Sequence, residues 1–175
     1  KHGSADLQKE LISFDKLSLA KSKIEYHTID TTYYADTTIA AAISTSASNW
    51  KVTAKSIMLD DNSIAYMVKN KPEIKNIFDA SHLNYTHLNL EANDLSYASE
   101  ATQIAIKNFS AIDQNQFSIT KFETEFSMDQ HSISMKKLNA ATATSSITAD
   151  LNIQYSSLKA LKDSIPFLVL NLALE

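Results

Sequence analysis

The sequence predicts an all-β fold: a long antiparallel meander of repeated hairpins curled into an elongated groove or taco, with one or two short helices. Three observations predict it. A spacing pattern of apolar residues recurs along the chain, apolar and polar residues alternate around its copies, and Gly3 is the only glycine. Turns therefore have to be made by Asp, Asn and Ser. We treat residues 1–175 as a single repetitive β-groove segment of a larger protein, and residues 1–4 read like a tag remnant.

Each copy of the repeat has the spacing L-x-L-x4-I-x-Y, or apolar equivalents of it. Residues that alternate in this way are typical of a half-buried strand, and a short polar connection between two such strands is typical of a hairpin. The pattern therefore predicts a hairpin turn at the polar connection inside each copy. The copies cover 17–26, 57–66, 88–97 and 126–135, with a fainter one over 140–149, and the predicted turns are 20–23, 60–63, 91–94 and 129–132.

Three further segments depart from this pattern. Residues 4–14 begin with serine and have leucines four apart, which predicts a short helix. Residues 156–164 have serine caps and stop before Pro166, which predicts a second one. Residues 69–82 are rich in polar residues and carry a proline, so we interpret them as the one long connection.

A second regularity is a step of two, three and two residues between successive apolar positions. A three-residue step in an alternating run moves side chains to the other face unless the strand is bulged. Strands bulged at the same place would curl the sheet into a trough, but the step also fits the end of one strand and the start of another. It occurs in 52–59, 83–90, 104–111, 117–124 and 133–140.

Composition excludes several classes of function. The chain is 44% hydrophobic and 21% charged, as in folded soluble proteins. All of its basic residues are lysines and its net charge is −4, which disfavours nucleic-acid binding because arginine makes the bidentate contacts to phosphate and guanine. There is no cysteine, and hence no disulfide, thiolate metal site or thiol nucleophile.

No pattern of catalytic or metal-binding residues appears. The histidines lack a metal-ligand spacing, and Asp60-Asp61-Asn62 lacks the glycine turn and distal glutamate of a calcium loop, so it is interpreted as a solvated hairpin turn. No serine motif occurs with its catalytic partners, and one glycine cannot build a phosphate-binding loop. We therefore expect no enzyme activity, no cofactor and no metal.

Several phrases of the sequence resemble the TamB family, and are closest to Bacteroidetes members of that AsmA-like superfamily. The resemblance covers about Asn49 to Leu161, and its motifs are structural rather than catalytic. It is carried by 49–52, 57–66, 78–83 leading into 88–91, 106–110 and 149–158.

The resemblance implies a fragment of a translocation and assembly module protein of the bacterial cell envelope. Such a protein is periplasmic, is anchored in the inner membrane by a helix absent from this chain, and shelters acyl chains of phospholipid or another lipid in an apolar β-groove between the inner and outer membranes. The family is also tied to outer membrane biogenesis through an Omp85-type partner. The alternative expectation is therefore a scaffold that pairs strands with an outer-membrane β-barrel protein, although this chain lacks the C-terminal partner-binding region.

The candidate groove residues are the apolar positions of the central repeats. They could form either a sealed core or an open groove wall, and the three-residue steps leave open which half of each strand faces inward. Tyrosines recur at one repeat position, Tyr26, Tyr66 and Tyr97, where cross-strand packing or groove lining is expected. The candidates for lipid contact are Leu88, Leu90, Ile104, Ile106, Phe117, Ile119, Phe122, Phe126, Met128, Ile133 and Met135.

Overall fold

The structure is a computed structural model, which describes residues 3–30, 49–75, 77–157 and 169–174. These residues form ten strands, and no helix is found among them. The strands are β1 (Gly3–Asp6), β2 (Leu11–Ala20), β3 (Lys23–Thr28), β4 (Lys51–Val68), β5 (His82–Tyr97), β6 (Thr102–Asp113), β7 (Ser118–Met128), β8 (Ser132–Thr142), β9 (Ser146–Gln154) and β10 (Val169–Leu174).

All ten strands belong to one open, curved sheet. From β4 to β10 each strand pairs antiparallel with the next one along the chain, and β1 and β2 pair antiparallel as well. The predicted all-β meander is therefore confirmed for most of the chain. The exception is the start, where β2 and β3 both lie parallel to β4.

The parallel pairing places the first two copies of the repeat side by side in the sheet. Leu17 pairs with Ile57 and Tyr26 with Tyr66, an offset of 40 residues that also joins the hydroxyls of Ser13 and Thr53. The rings of Tyr26 and Tyr66 are stacked, with centroids 5.9 Å apart and planes 15° from parallel. Cross-strand packing is thus confirmed for these two tyrosines.

The third tyrosine of the repeat has a different place in the sheet. Tyr97 ends β5, where it pairs with Val52 and Thr102, and its side chain is 52% exposed. It therefore lies at the opposite end of the strands from the Tyr26–Tyr66 pair.

Only one of the four predicted hairpin turns reverses the chain. That turn joins β7 to β8, and the carboxylate of Asp129 accepts hydrogen bonds from the backbone N–H groups of His131 and Ser132 at 2.8 and 2.7 Å. The other three predictions are wrong: 60–63 lies inside β4, 91–94 lies inside β5, and 20–23 only interrupts the chain between β2 and β3.

The physical reason is a left-handed residue in each of these three segments. Lys21, Asp61 and Asp94 have φ angles of 48°, 50° and 55°. A single residue with positive φ can absorb an extra residue as a β-bulge, after which the strand continues in its original direction. Aspartate and asparagine favour bulges and tight turns alike, so composition alone does not separate them.

The three-residue steps are bulges and not strand ends. The register shifts by one residue at the step in β5 and in β8, where His87 and Lys137 have φ angles of 50° and 53°. Strands β6 and β7 both shift register at their steps against their other neighbours, and they keep a constant register with each other because both are irregular at the same place. The step in β4 lies opposite Asp94 of β5, which is itself a left-handed residue. The bulge interpretation is therefore confirmed.

The helix predicted over 4–14 is wrong. Gly3–Asp6 and Leu11–Ala20 are strands, and the turn between them is closed by the Asp6 carboxylate, which accepts from the N–H groups of Gln8 and Lys9, both at 3.1 Å. Pairing of β2 with β4 places Phe14 beside Ala54 over the main apolar cluster, and this packing overrides the local helical spacing. Of 156–164, residues 156 and 157 are not helical and 158–164 lie outside the described residues.

The predicted connection after β4 is confirmed over 69–81, but it is not the only long one. Residues 29–50 join β3 to the parallel strand β4, and 31–48 of them lie outside the described residues. A parallel neighbour requires a long return of the chain, since a short turn cannot bring the chain back to the same end of the sheet.

The connection 69–81 is organised by the buried side chain of Asp79. Its carboxylate accepts from the backbone N–H groups of Ile74 and Ser81, and lies 2.9 Å from Nδ1 of His82. These hydrogen bonds, those from Ile74 and Ser81 first, lower the pKa of Asp79 below its ordinary value.

Asp79→Asn is therefore expected to destabilise the fold most at neutral pH and less in acid. The unfolded chain holds the Asp79 proton more tightly than the folded one, so the stabilisation is present above the ordinary aspartate range and is lost as the pH falls through the lowered pKa. Urea unfolding of both proteins from about pH 7 down to about pH 3 measures it. A difference that widens in acid would contradict this role.

Candidate functional site: an open apolar face

The sheet has one apolar face, built from rows of directly paired residues. Ile104 pairs with Phe126, Phe126 with Met135, and Met135 with Leu151, so one apolar row crosses β6 to β9. Paired residues project to the same face, because neighbouring strands are pleated in step. A second row, closer to the strand ends, consists of Thr102, Met128, Ile133 and Ile153.

The bulges allow apolar residues three positions apart to lie on this same face, which regular alternation would not. Ala54 and Ile57 are three residues apart, yet both belong to one buried cluster with Ala92. In the same way, Phe122 follows Ile119 by three residues and reaches Phe109 of β6, with ring centroids 6.3 Å apart in an edge contact. The cluster is flanked by the partly buried side chains of Phe14, Leu59, Leu90, Leu95, Ile104 and Ile106.

The structure brings together on this face all of the predicted groove residues except one. Leu88 is buried, and the others are half-buried. Phe117 is the exception: it lies in the turn before β7, is 55% exposed, and its N–H donates to the Asp113 carboxylate. The residues on the apolar face are Leu88, Leu90, Ile104, Ile106, Ile119, Phe122, Phe126, Met128, Ile133 and Met135.

The apolar face is open in the part of the chain that the structure describes. No second layer of strands or helices packs on it there, and its buried members include alanines such as Ala92 and Ala111 beside Ile57 and Leu88. The other large side chains shield one another at their sides but keep an accessible outer surface. Toward the margins exposure rises, to 39% at Leu17, 42% at Ile24 and 44% at Ile147. A sealed core would bury such residues.

The opposite face is mainly polar over the same strands, although Met58 and Met67 are exposed on it. One row of paired positions carries only neutral polar residues from β2 to β9, and further along the strands Glu125 pairs with Lys136. The two faces therefore differ sharply in chemistry, which sets the orientation of any amphipathic ligand. The neutral row consists of Ser13, Thr53, Ser96, Gln103, Ser127, Ser134 and Asn152.

The two buried polar side chains on the apolar face, Asn62 and Thr124, form hydrogen bonds with backbone groups. Asn62 is completely buried: its Oδ1 accepts from the N–H of Ser22 at 3.0 Å, and its Nδ2 donates to the carbonyl of Leu19 at 3.1 Å. The Thr124 hydroxyl donates to the carbonyl of Lys136 at 3.1 Å. Both residues complete the hydrogen bonding at an irregularity of the sheet, so they leave the face hydrocarbon in character.

Polar side chains on the other face also accept hydrogen bonds from backbone N–H groups at the bulges. The N–H of Asp61 donates to Asn89 Oδ1 at 2.9 Å, and the N–H of Lys137 donates to Asp150 Oδ1 at 2.7 Å. Both donors belong to left-handed residues at bulges. The sequence prediction of a solvated turn at 60–63 missed this system, because its acceptors lie far away along the chain.

Two histidines of the described residues each lie beside an aspartate. His87 lies 2.9 Å from Asp61 on the surface, and His82, the first residue of β5, lies 2.9 Å from Asp79 of the connection 69–81; neither pair was predicted. No group of three or more His, Cys, Asp or Glu side chains is placed to hold a metal ion in the described residues. Nor do these residues include a helix long and apolar enough to cross a membrane.

Comparison with protein families, with curated proteins and with solved structures finds no match to this chain.

Proposed function

We propose that this segment binds lipid acyl chains along its apolar face, as a non-catalytic periplasmic part of a TamB/AsmA-like envelope protein anchored in the inner membrane. The observation that carries the proposal is a continuous apolar face without a second layer in the described residues. Phospholipid or another acyl-chain lipid would be sheltered there from water on its way between the inner and outer membranes.

The dimensions of the face suit an acyl chain that lies across the strands. Strands are about 4.8 Å apart, so the row from Ile104 to Leu151 is about 14 Å long. One leaflet of a bilayer supplies about half of the ~30 Å hydrocarbon core, which is a similar length. Burial is worth about 0.8 kcal/mol per CH₂ group, so even partial coverage of a chain favours binding.

Lipid that co-purifies with the protein is the first expected result. The chain would be purified without detergent, examined by native mass spectrometry, and extracted with organic solvent in parallel. We expect phospholipid at a defined stoichiometry, because an open hydrocarbon face is costly to leave hydrated. Lipid-free protein that also refuses an added fluorescent phospholipid would remove this segment from the lipid path.

A second candidate function is favoured by the edges of the sheet. In the described residues β10 pairs only with β9, and β3 pairs only with β4, so each has one edge available to a further strand. An outer-membrane β-barrel protein, or an Omp85-type partner, could add a strand there by β-augmentation. A protein that binds no lipid but protects a β-barrel client from aggregation would favour this scaffold role.

A further inference from the structure

A set of exposed apolar side chains lies at one end of the sheet, outside the apolar face. We call it the apolar rim, and it comprises Ile29, Ile74, Ile77, Phe78 and Phe117. Their exposed fractions are 54%, 53%, 56%, 70% and 55%. None of these residues belongs to a strand, so alternation along the sheet does not account for them.

Strand pairing brings the parts of the rim to the same end of the sheet. Tyr85, near the start of β5, pairs with Asp113 at the end of β6, so the connection 69–81 and the turn 114–117 are neighbours. Asn115 Nδ2 donates to the carbonyl of Ile77 at 3.3 Å and ties the turn to the connection. Ile29 joins them because it follows β3, whose last residue Thr28 accepts from the N–H of Lys69 at 2.9 Å.

Hydrogen bonds of the Asp79 and Gln114 side chains position the loops that carry the rim. The Asp79 carboxylate fixes the backbone at Ile74 and Ser81. Gln114 bridges the turn to β5, since it accepts from the N–H of Asn84 and donates to the carbonyl of His82, both at 2.9 Å. These hydrogen bonds hold the backbone at Ile74, Ile77 and Ser81 in an arrangement that displays Ile77 and Phe78 to solvent, where apolar side chains are unfavourable.

Lysines accompany the apolar residues of the rim. Lys69, Lys71 and Lys75 lie in the same connection, where Lys71 is paired with Asp30 at 2.7 Å. In the described residues neither Lys69 nor Lys75 is in an ion pair, and Glu73 is the only unpaired acid of the connection. Turns 98–101 and 129–131 at the opposite end of the sheet carry no large apolar residue, and the one exposed there in a turn is Leu7.

We propose that the apolar rim inserts into the interfacial layer of a phospholipid bilayer, with Lys69 and Lys75 at anionic headgroups. Protruding aliphatic and aromatic side chains beside lysines have the composition of a shallow membrane contact, in which apolar groups enter the headgroup boundary and lysines stay at the surface. The rim is a different surface from the apolar face. The inference therefore stands whether or not that face holds acyl chains.

Vesicle flotation tests the inference. The probes are phosphatidylcholine vesicles with and without phosphatidylglycerol, and the test variant is Ile77→Ser/Phe78→Ser. The matched control is Leu7→Ser, which removes a side chain 75% exposed at the other end of the sheet. We expect the wild type and Leu7→Ser to float with anionic vesicles, and the double variant to bind about tenfold more weakly or worse. Lys69→Gln/Lys75→Gln should lose the preference for anionic vesicles.

Two results would overturn the inference. One is a wild type that floats with neither vesicle, which would assign the rim to a protein partner. The other is flotation that survives Ile77→Ser/Phe78→Ser but is lost when an acidic group is placed on the apolar face by Phe126→Asp. A double variant that no longer floats but still captures a monomeric fluorescent fatty acid would support the inference and show that rim and apolar face act separately. Circular dichroism confirms the fold of each variant.

Discussion

Phe126→Asp is expected to abolish the capture of acyl chains while the sheet stays folded. Phe126 lies in the middle of the apolar row, between Ile104 and Met135, and is half-buried. An acyl chain on this row would have to desolvate the new carboxylate, which costs more than a few CH₂ contacts return. Because the face is open, the carboxylate stays hydrated without lipid, so we expect a loss of about 1–3 kcal/mol in unfolding free energy, below the full cost of a buried aromatic.

Ser127→Asp is the matched control, because the next residue of the same strand projects to the opposite face. Ser127 is exposed and lies in the neutral polar row between Gln103 and Ser134. The control introduces the same charge at nearly the same place, and we expect it to leave the binding of a fluorescent phospholipid unchanged. If Phe126→Asp unfolds the protein and Ser127→Asp does not, the apolar face is a sealed core and the proposal of an open lipid path fails.

Much of the apolar face could be predicted from the sequence, because its determinants are local. Residues such as Ile104, Phe126 and Met135 are recognisable from alternation alone, which fixes one side of a strand within a few residues. The steps of two, three and two were also informative, since a bulge leaves its mark in the same short window. Phe117 was misplaced because it continues the alternation although β7 begins one residue later.

The distinction between turn and bulge could not be predicted in this way. The segments 60–63 and 129–132 have similar compositions, but only the second reverses the chain. Segment 60–63 forms a bulge because the side chain of Asn62 hydrogen-bonds to the backbone of Leu19 and Ser22, about 40 residues earlier. The repeat does show the offset between these residues, because its copies 17–26 and 57–66 have the same internal spacing and lie that far apart in the sequence. The same spacing in two copies does not show, however, that the copies lie side by side and parallel.

The apolar rim was missed for a related reason. The proline and the polar residues of 69–82 predict a connection, which the structure confirms over 69–81. Whether Ile77 and Phe78 are buried under such a connection or displayed on it depends on the hydrogen bonds of Asp79 and on the neighbouring turn. A residue whose exposure is set by contacts between loops has no periodic signal to read.

Asn62→Ala is expected to be the most destabilising small substitution in the parallel part of the sheet, at about 2–4 kcal/mol. Asn62 is 0% exposed, so the N–H of Ser22 and the carbonyl of Leu19 would lose their partners where water does not readily replace them. The loss falls where β2 ends and β3 begins, and both strands depend on β4 for their pairing. Equilibrium unfolding in urea gives the free-energy difference.

Asn70→Ala is a close control, because Asn70 also makes one accepting and one donating bond to the backbone of the preceding copy, both of them to Asp30. Its Oδ1 accepts from the N–H of Asp30 and its Nδ2 donates to the Asp30 carbonyl, both at 2.8 Å. Asn70 is half-buried at the end of the sheet, where water can take over, so we expect a cost of about 0.5–1.5 kcal/mol. Asn62→Leu separates the remaining causes, since it fills the space without replacing the hydrogen bonds. If it restores wild-type stability, packing alone explains the effect; if it costs as much as Asn62→Ala, the missing backbone partners are what Asn62 supplies.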